Sequence, residues 1–203
     1  MQVLNDFSLA AKKILDEEYV LALPTETVYG VGIKWDSQLA YERLVKCKNR
    51  RPDKPIAVMC GRNFEFEKYF EITPVIKKVM KKFLPGPLTI LVKVKDEAPY
   101  QTHLGTKVAG IRIPNEKNLL TFLDSLPYAL QVTSANISGK PSTKDSNEVY
   151  KTFENSNDVK GIVLGKCESG IPTTVVSFVN DIPIIIREGE IKLEDINKVI
   201  NER

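Results

Sequence analysis

Residues 19–30 read YVLALPTETVYG, and the change of character at Pro24 is the most informative boundary in the chain. The run before it is apolar, too short for a helix and stopped by proline, so it reads as a short buried strand. The residues after it place three hydroxyls (Thr25, Thr27, Tyr29), the Glu26 carboxylate and Gly30 at the strand's end. The pattern recurs at residues 128–142, where YALQVTS runs into SANISGKPS, a tract almost free of apolar bulk. A third polar tract, CKNRRPDKP at residues 47–55, sets Lys48, Arg50, Arg51 and Lys54 within seven residues and ends with two prolines. Ligands of open α/β sheets sit in the crevice outside the carboxyl ends of the strands. Three such loops point to a small-molecule site with phosphate-binding power.

Outward from these loops, helical spacing covers residues 6–18, with Asn5 or Asp6 as cap, then 36–46, 73–84 with Pro74 in the first turn, and 115–126. Further helices are read near 146–154 and 193–201. Apolar strands are read at residues 55–60, 88–94, 108–114 and 128–134, then near 161–164, 174–179 and 183–187. Strands interleaved with helices predict an α/β sheet with helical cover. With no repeat, long linker or low-complexity tract, one domain over residues 1–203 is expected.

The chain has 203 residues, 42% hydrophobic and 27% charged, enough for a real core. Its net charge of +3 is too mild to announce a nucleic-acid binder, so any such claim must rest on local clusters. Lys77, Lys78, Lys81 and Lys82 read as the solvated face of a helix. No apolar run reaches the ~18 residues of a membrane span. The opening residues lack a signal-peptide pattern. Cys47, Cys60 and Cys167 fit neither a disulfide framework nor a metal site, and read as reduced thiols of a cytoplasmic protein.

The common catalytic signatures are absent. There is no GxGxxG, and residues 161–167 (GIVLGKC) miss the phosphate-binding loop on spacing and on the closing hydroxyl. His103 is the only histidine, which excludes HExxH, and it reads as an incidental loop residue. No metal site made of protein side chains is predicted.

The loops carry a resemblance. PTETVYG at residues 24–30 resembles the opening motif of the Sua5/YrdC/TsaC family, the threonylcarbamoyl-AMP synthases. The family's KxR element and following K-P pair match Lys48-Asn49-Arg50 and Lys54-Pro55, and its SxN element matches Ser134-Ala135-Asn136. FLPGPLTILV, GIRIP, PTTVVS and IIIREGEI follow in family order, so the resemblance runs from about residue 22 to 191. The chain resembles the short single-domain type rather than the longer proteins with an extra C-terminal domain. Two positions depart from the family pattern: Arg51 replaces a proline, adding a cation beside the phosphate site, and Ser177 stands where aspartate is common.

The resemblance implies a twisted mixed sheet flanked by helices, with a concave, positively charged active-site surface. It implies that L-threonine, bicarbonate and ATP give threonylcarbamoyl-AMP and pyrophosphate, with Mg²⁺ accompanying ATP. The product would pass to a downstream threonylcarbamoyl-transferase complex for modification of adenosine 37 in tRNA. Catalytic roles would fall to Lys48, Arg50, Ser134 and Asn136. ATP would be held by Arg50, Lys54, Ser134, Asn136, Ser142 and Arg187, and L-threonine by Thr27, Arg112 and Thr173. Two other readings compete. One is an RNA-binding module using the basic surface, although no aromatic residues interleave with the cations. The other is the related carbamoyl-transfer chemistry of hydrogenase-maturation proteins, whose extra parts are missing.

Overall fold

The computed structural model describes residues 1–202. Ten strands form one mixed sheet. In chain order the strands are β1 (Gln2–Leu4), β2 (Val20–Leu23), β3 (Gly30–Lys34), β4 (Val58–Met59), β5 (Leu88–Lys93), β6 (Val108–Arg112), β7 (Leu130–Ser134), β8 (Val159–Val163), β9 (Thr174–Ser177) and β10 (Ile184–Arg187). They lie across the sheet in the order β1-β8-β2-β3-β7-β4-β6-β5-β9-β10. Eight helices accompany them: α1 (Leu9–Asp16), α2 (Gln38–Cys47), α3 (Phe66–Tyr69), α4 (Pro74–Phe83), α5 (Tyr100–His103), α6 (Lys117–Ser125), α7 (Ser146–Phe153) and α8 (Leu193–Asn201).

The unbroken apolar character of β2 follows from burial on both faces. Val20 and Ala22 pack into a cluster with Tyr41 and Leu44 of α2 and Val149 and Phe153 of α7. Leu21 and Leu23 point the other way, into a cluster with Ile14 and Leu15 of α1 and Leu119 and Phe122 of α6. A third cluster gathers Ile90 and Val92 of β5, Ile76 and Val79 of α4, and Ile196 of α8.

The chain doubles back after residue 23: β2 and β3 are antiparallel, with Leu23 opposite Gly30, and residues 24–29 form the connecting loop. The spacing did not predict β3. Its two glycines weaken any strand signal, yet the fold needs them. A Cβ on Gly30 would lie 2.7 Å from Val132 Cγ1 of the neighbouring β7. Strand β1 and the one-turn helices α3 and α5 also carry too little periodicity to be read. The strand expected over residues 55–60 shortens to Val58–Met59.

Helix starts follow capping chemistry, with one correction. Thr73 Oγ1 accepts from Ile76 N–H with Pro74 at the first position of α4, and Ser37 Oγ accepts from Ala40 N–H at α2. The N-cap of helix α1 is Ser8, without a side-chain capping bond, rather than Asn5 or Asp6. His103 also differs from expectation. It ends α5, is buried, and its Nδ1 accepts from Gly105 N–H at 3.1 Å, closing a turn. The lysines of α4 are exposed, as a solvated face requires. Among the described residues, no helix is long and apolar enough to cross a membrane.

Gly189 follows β10 where the chain crosses the start of β9. A Cβ there would stand 2.4 Å from Thr174 N and 2.6 Å from Pro172 O, both backbone atoms that cannot swing aside. Gly189→Ala is expected to lower stability by about 1–3 kcal/mol in urea unfolding. An unchanged midpoint would show that these two segments move apart at little cost.

Candidate active site

The cation-rich tract takes its shape from the end of α2. Lys48 is the C-cap, Asn49 adopts the left-handed conformation at φ 49°, and Arg50 follows. Arg50 N–H returns to Val45 O at 2.9 Å and Asn49 N–H to Lys46 O at 3.1 Å, the paired bonds of a Schellman ending. This turn separates the two cations of the KxR element by a reversal of the backbone and sends their side chains to different tasks.

Lys48 goes inward. It is 2% exposed, and its ammonium donates to the carbonyl oxygens of Ser134 and Asn136. Ser138 N–H donates back to Lys48 O at 2.9 Å. The KxR and SxN elements, 86 residues apart, are thus tied together. Two of the three ammonium donors are committed to this link, which leaves one for a ligand. Burial, with help from the Arg50 charge, pulls the Lys48 ammonium from 10.5 to about 8.

Arg50 secures its own loop. Its Nη2 donates to Lys54 O at 3.2 Å and Pro55 O at 3.0 Å, while Tyr41 Oη donates to Pro52 O at 2.8 Å. The Arg50 Nε is buried without a partner. Arg51 does not add a free cation to the site. Its guanidinium pairs with Asp53, Nε to Oδ1 at 3.0 Å, so the extra charge is offset within the loop.

Ser134 ends β7 opposite Gly30, so the SxN and PTETVYG loops leave the sheet side by side. Ala135 N–H donates to Tyr29 O at 2.7 Å and Tyr29 N–H to Thr143 O at 2.9 Å, which stitches them together. Tyr29 is fully buried; its hydroxyl donates toward Val163 O and Gly165 O, and burial pushes it up to about 12. Asn136 Nδ2 holds the carbonyls of Ile137 and Lys140, leaving Oδ1 buried and unpartnered. Gly139 completes the turn at φ +85°, a conformation that favours glycine.

Two adjoining cavities result. The smaller, about 270 Å³, is walled by Lys48, Arg50, Lys54, Ser134, Asn136 and the backbone near Gly139. The larger, about 400 Å³, is lined by Thr27, Arg112, Thr173 and Arg187 over an apolar floor that includes Met59 and Val132. Arg50, Thr133 and Ser134 belong to both walls. The residues expected at L-threonine therefore gather in one cavity. Of those expected at ATP, Lys54 and Asn136 line the other, and Arg50 and Ser134 bridge the two. Arg187 lies with the first group: its Nε and Nη2 donate to Thr173 O and Oγ1 at 3.0 and 2.9 Å. Burial and the charge of Arg112 lower its pKa. Ser142 and Ser177 line neither cavity.

One residue of this site was quoted in the sequence reading but given no role. Glu26 is 8% exposed, and Oε2 lies 2.9 Å from Arg112 Nη2. The approach is an ion pair by distance only, since neither Glu26 oxygen accepts an aligned hydrogen bond. The signal available was its place among the hydroxyls of PTETVYG. Among the described residues, no group of three or more His, Cys, Asp or Glu side chains could hold a metal ion. Cys47, Cys60 and Cys167 are free thiols, all at least partly buried.

Burial of the Lys48 ammonium has a pH consequence. The unfolded chain binds this proton more tightly than the folded one, so between about pH 8 and 10.5 the lysine's cost to stability is relieved as pH rises. Across that window wild-type stability should gain on Lys48→Met, on the order of 1–3 kcal/mol in paired urea titrations. A flat difference would contradict a buried ammonium.

Similarity to known proteins agrees with this arrangement. The family model Sua5_yciO_yrdC, described as "Telomere recombination", matches residues 13–189. A Methanocaldococcus jannaschii protein, named provisionally as a threonylcarbamoyl-AMP synthase, is 36% identical over 183 residues, 90% of this chain and 85% of that one. The threonylcarbamoyl-AMP synthase of Bacillus subtilis is 34% identical over 201 residues, 97% of this chain but 57% of its own length. The structure of Pyrococcus abyssi Sua5 complexed with L-threonine superposes over 100% of this chain and 62% of that one, with a TM-score of 0.90 at 29% identity. The chain thus spans little more than half of the Bacillus and Pyrococcus proteins. The loops, the sheet that presents them and these similarities agree: the chain belongs to the Sua5/YciO/YrdC family.

Proposed function

We propose that the chain is a threonylcarbamoyl-AMP synthase, a nucleotidyltransferase acting on L-threonine, bicarbonate and ATP. The observation that carries this reading is the pair of adjoining cavities sharing Arg50 and Ser134. One is cationic and polar, the other lined by threonine hydroxyls and arginines.

The chemistry suits such a pair. Threonine ammonium and bicarbonate give a carbamate, water and one proton. A carbamate oxygen then attacks the α-phosphorus, and pyrophosphate leaves with the bonding pair. No protein nucleophile is required. Positioning and charge neutralisation carry such transfers, and the residues supply both. Arg50 lies where the cavities meet, with Nε unspent, and would face the transferred phosphoryl group. Lys54 would add a point charge at the rim, and the third donor of Lys48 would complete the cluster. Ser134 and the free Oδ1 of Asn136 would bind nucleotide. Arg112 would take the threonine carboxylate or its carbamate, beside Thr27, Thr173 and Arg187. Mg²⁺ would travel with ATP, neutralising phosphate charge through phosphate oxygens and water. The adenylate is a reactive mixed anhydride, which suits transfer to adenosine 37 of tRNA by a separate transferase.

Pyrophosphate release by purified protein tests this directly. Release should require ATP, L-threonine and bicarbonate together. Arg50→Ala should lower kcat/KM by about 10²-fold or more with an unchanged circular dichroism spectrum. Loss of both release and ATP binding in the wild type, with salt-dependent tRNA binding instead, would replace this reading with an RNA-binding module.

A further inference from the structure

Glu26 lies behind the larger cavity rather than on its wall, whereas Thr25, Thr27 and Arg112 all line it. A buried carboxylate that accepts no aligned hydrogen bond is costly, so its position needs a cause. The backbone supplies the anchor: Glu26 O accepts from Ser169 N–H at 3.0 Å, and Thr27 O from Gly170 N–H at 2.8 Å. The carboxylate is thus fixed beside Arg112, in a cavity whose other charged side chains are the cations Arg50 and Arg187. Without it, three guanidinium groups would converge with nothing to balance them.

The hydroxyls beside Arg112 have a fixed proton order. Thr25 Oγ1 is 2.8 Å from Val28 O, a pure acceptor, so the single Thr25 proton goes there. The 2.9 Å contact between Thr25 Oγ1 and Thr27 Oγ1 must then use the Thr27 proton. Thr27 Oγ1 in turn accepts from Arg112 Nη2 at 3.1 Å. The chain of donation runs Arg112 to Thr27 to Thr25 to Val28. Thr27 is left with one lone pair and no proton for a ligand.

Building on the synthase reading, we infer that Glu26 is a positioning and specificity-determining residue. By holding Arg112 on one lone pair of Thr27, whose proton is already committed to Thr25, it leaves this acceptor a single fixed site that selects an amino acid carrying a side-chain hydroxyl donor. A site built around such a bond discriminates strongly against an analogue lacking the hydroxyl, because a buried polar atom is then left unpaired. Since the Glu26–Arg112 contact is unaligned, charge rather than hydrogen-bond geometry holds it, and a neutral isostere cannot substitute.

The test is calorimetric binding of L-threonine and L-2-aminobutyrate, which lacks the hydroxyl, to wild type, Glu26→Gln and Thr27→Val. The wild type should prefer threonine. In Glu26→Gln that preference should shrink by about tenfold or more, the worth of one hydrogen bond to a charge-fixed group. Thr27→Val, which does not depend on how Glu26→Gln folds, removes the accepting oxygen itself and should shrink the preference likewise. Equal weakening of both ligands would mark a merely structural role and overturn the inference, as would a wild-type preference in either variant. A wild type that binds no threonine would defeat the synthase reading, and this inference with it. Threonine binding with an unaltered preference in the variants defeats the inference alone.

Discussion

The ammonium of Lys48, seated on the carbonyl oxygens of Ser134 and Asn136, is the contact on which the site depends. It joins the end of α2 to the end of β7, and so brings the loop that carries Arg50 and Lys54 against the loop that carries Ser134 and Asn136. Ala135 and Ile137 add apolar packing beneath the second loop. The Schellman ending of α2 sets the geometry: with Asn49 left-handed, Lys48 turns into the protein while Arg50 turns to the cavity. The arrangement sacrifices some stability, since an ammonium is taken from water, and in return fixes two loops before any ligand arrives.

The same trade recurs across the site. Among the described residues, the buried side-chain polar atoms without a partner are Glu26 Oε1 and Oε2, Arg50 Nε, Arg112 Nε, Asn136 Oδ1 and Gln131 Oε1. All but the last belong to the three loops or to the arginine at the end of β6. Folding leaves such atoms unpaired at a cost of about 1–3 kcal/mol each, so their concentration in one place marks a region arranged for function rather than stability, with Glu26 set against Arg112 and the others at the cavities. The rest of the chain compensates through β2 and its neighbours, whose side chains are buried on both faces.

Much of the fold was legible because its signals are local. The apolar runs of β2, β5, β6 and β7 and the helical spacing of α2, α4, α6 and α8 each declare themselves within a few residues. Strand β3 was illegible because its glycines answer to Val132 and Leu23, which are neighbours only once the sheet exists. The site divides in the same way. Residue types at the loops pointed to phosphate and amino-acid chemistry, and the cavities gather nearly all the residues named. What the sequence concealed was which cation is free: Lys48 is buried on carbonyls, Arg51 is offset by Asp53, and Arg112 is held by Glu26. Each pairing joins groups whose approach depends on backbone turns that residue spacing does not display.

Amide hydrogen exchange across residues 134–140, compared between wild type and Lys48→Met, tests the central claim most directly. If the buried ammonium holds the SxN loop, exchange at Ser138 and around Asn136 accelerates in the variant while β5 and β6 keep their protection. If the loop keeps its wild-type protection without the ammonium, Lys48 does not hold the site together.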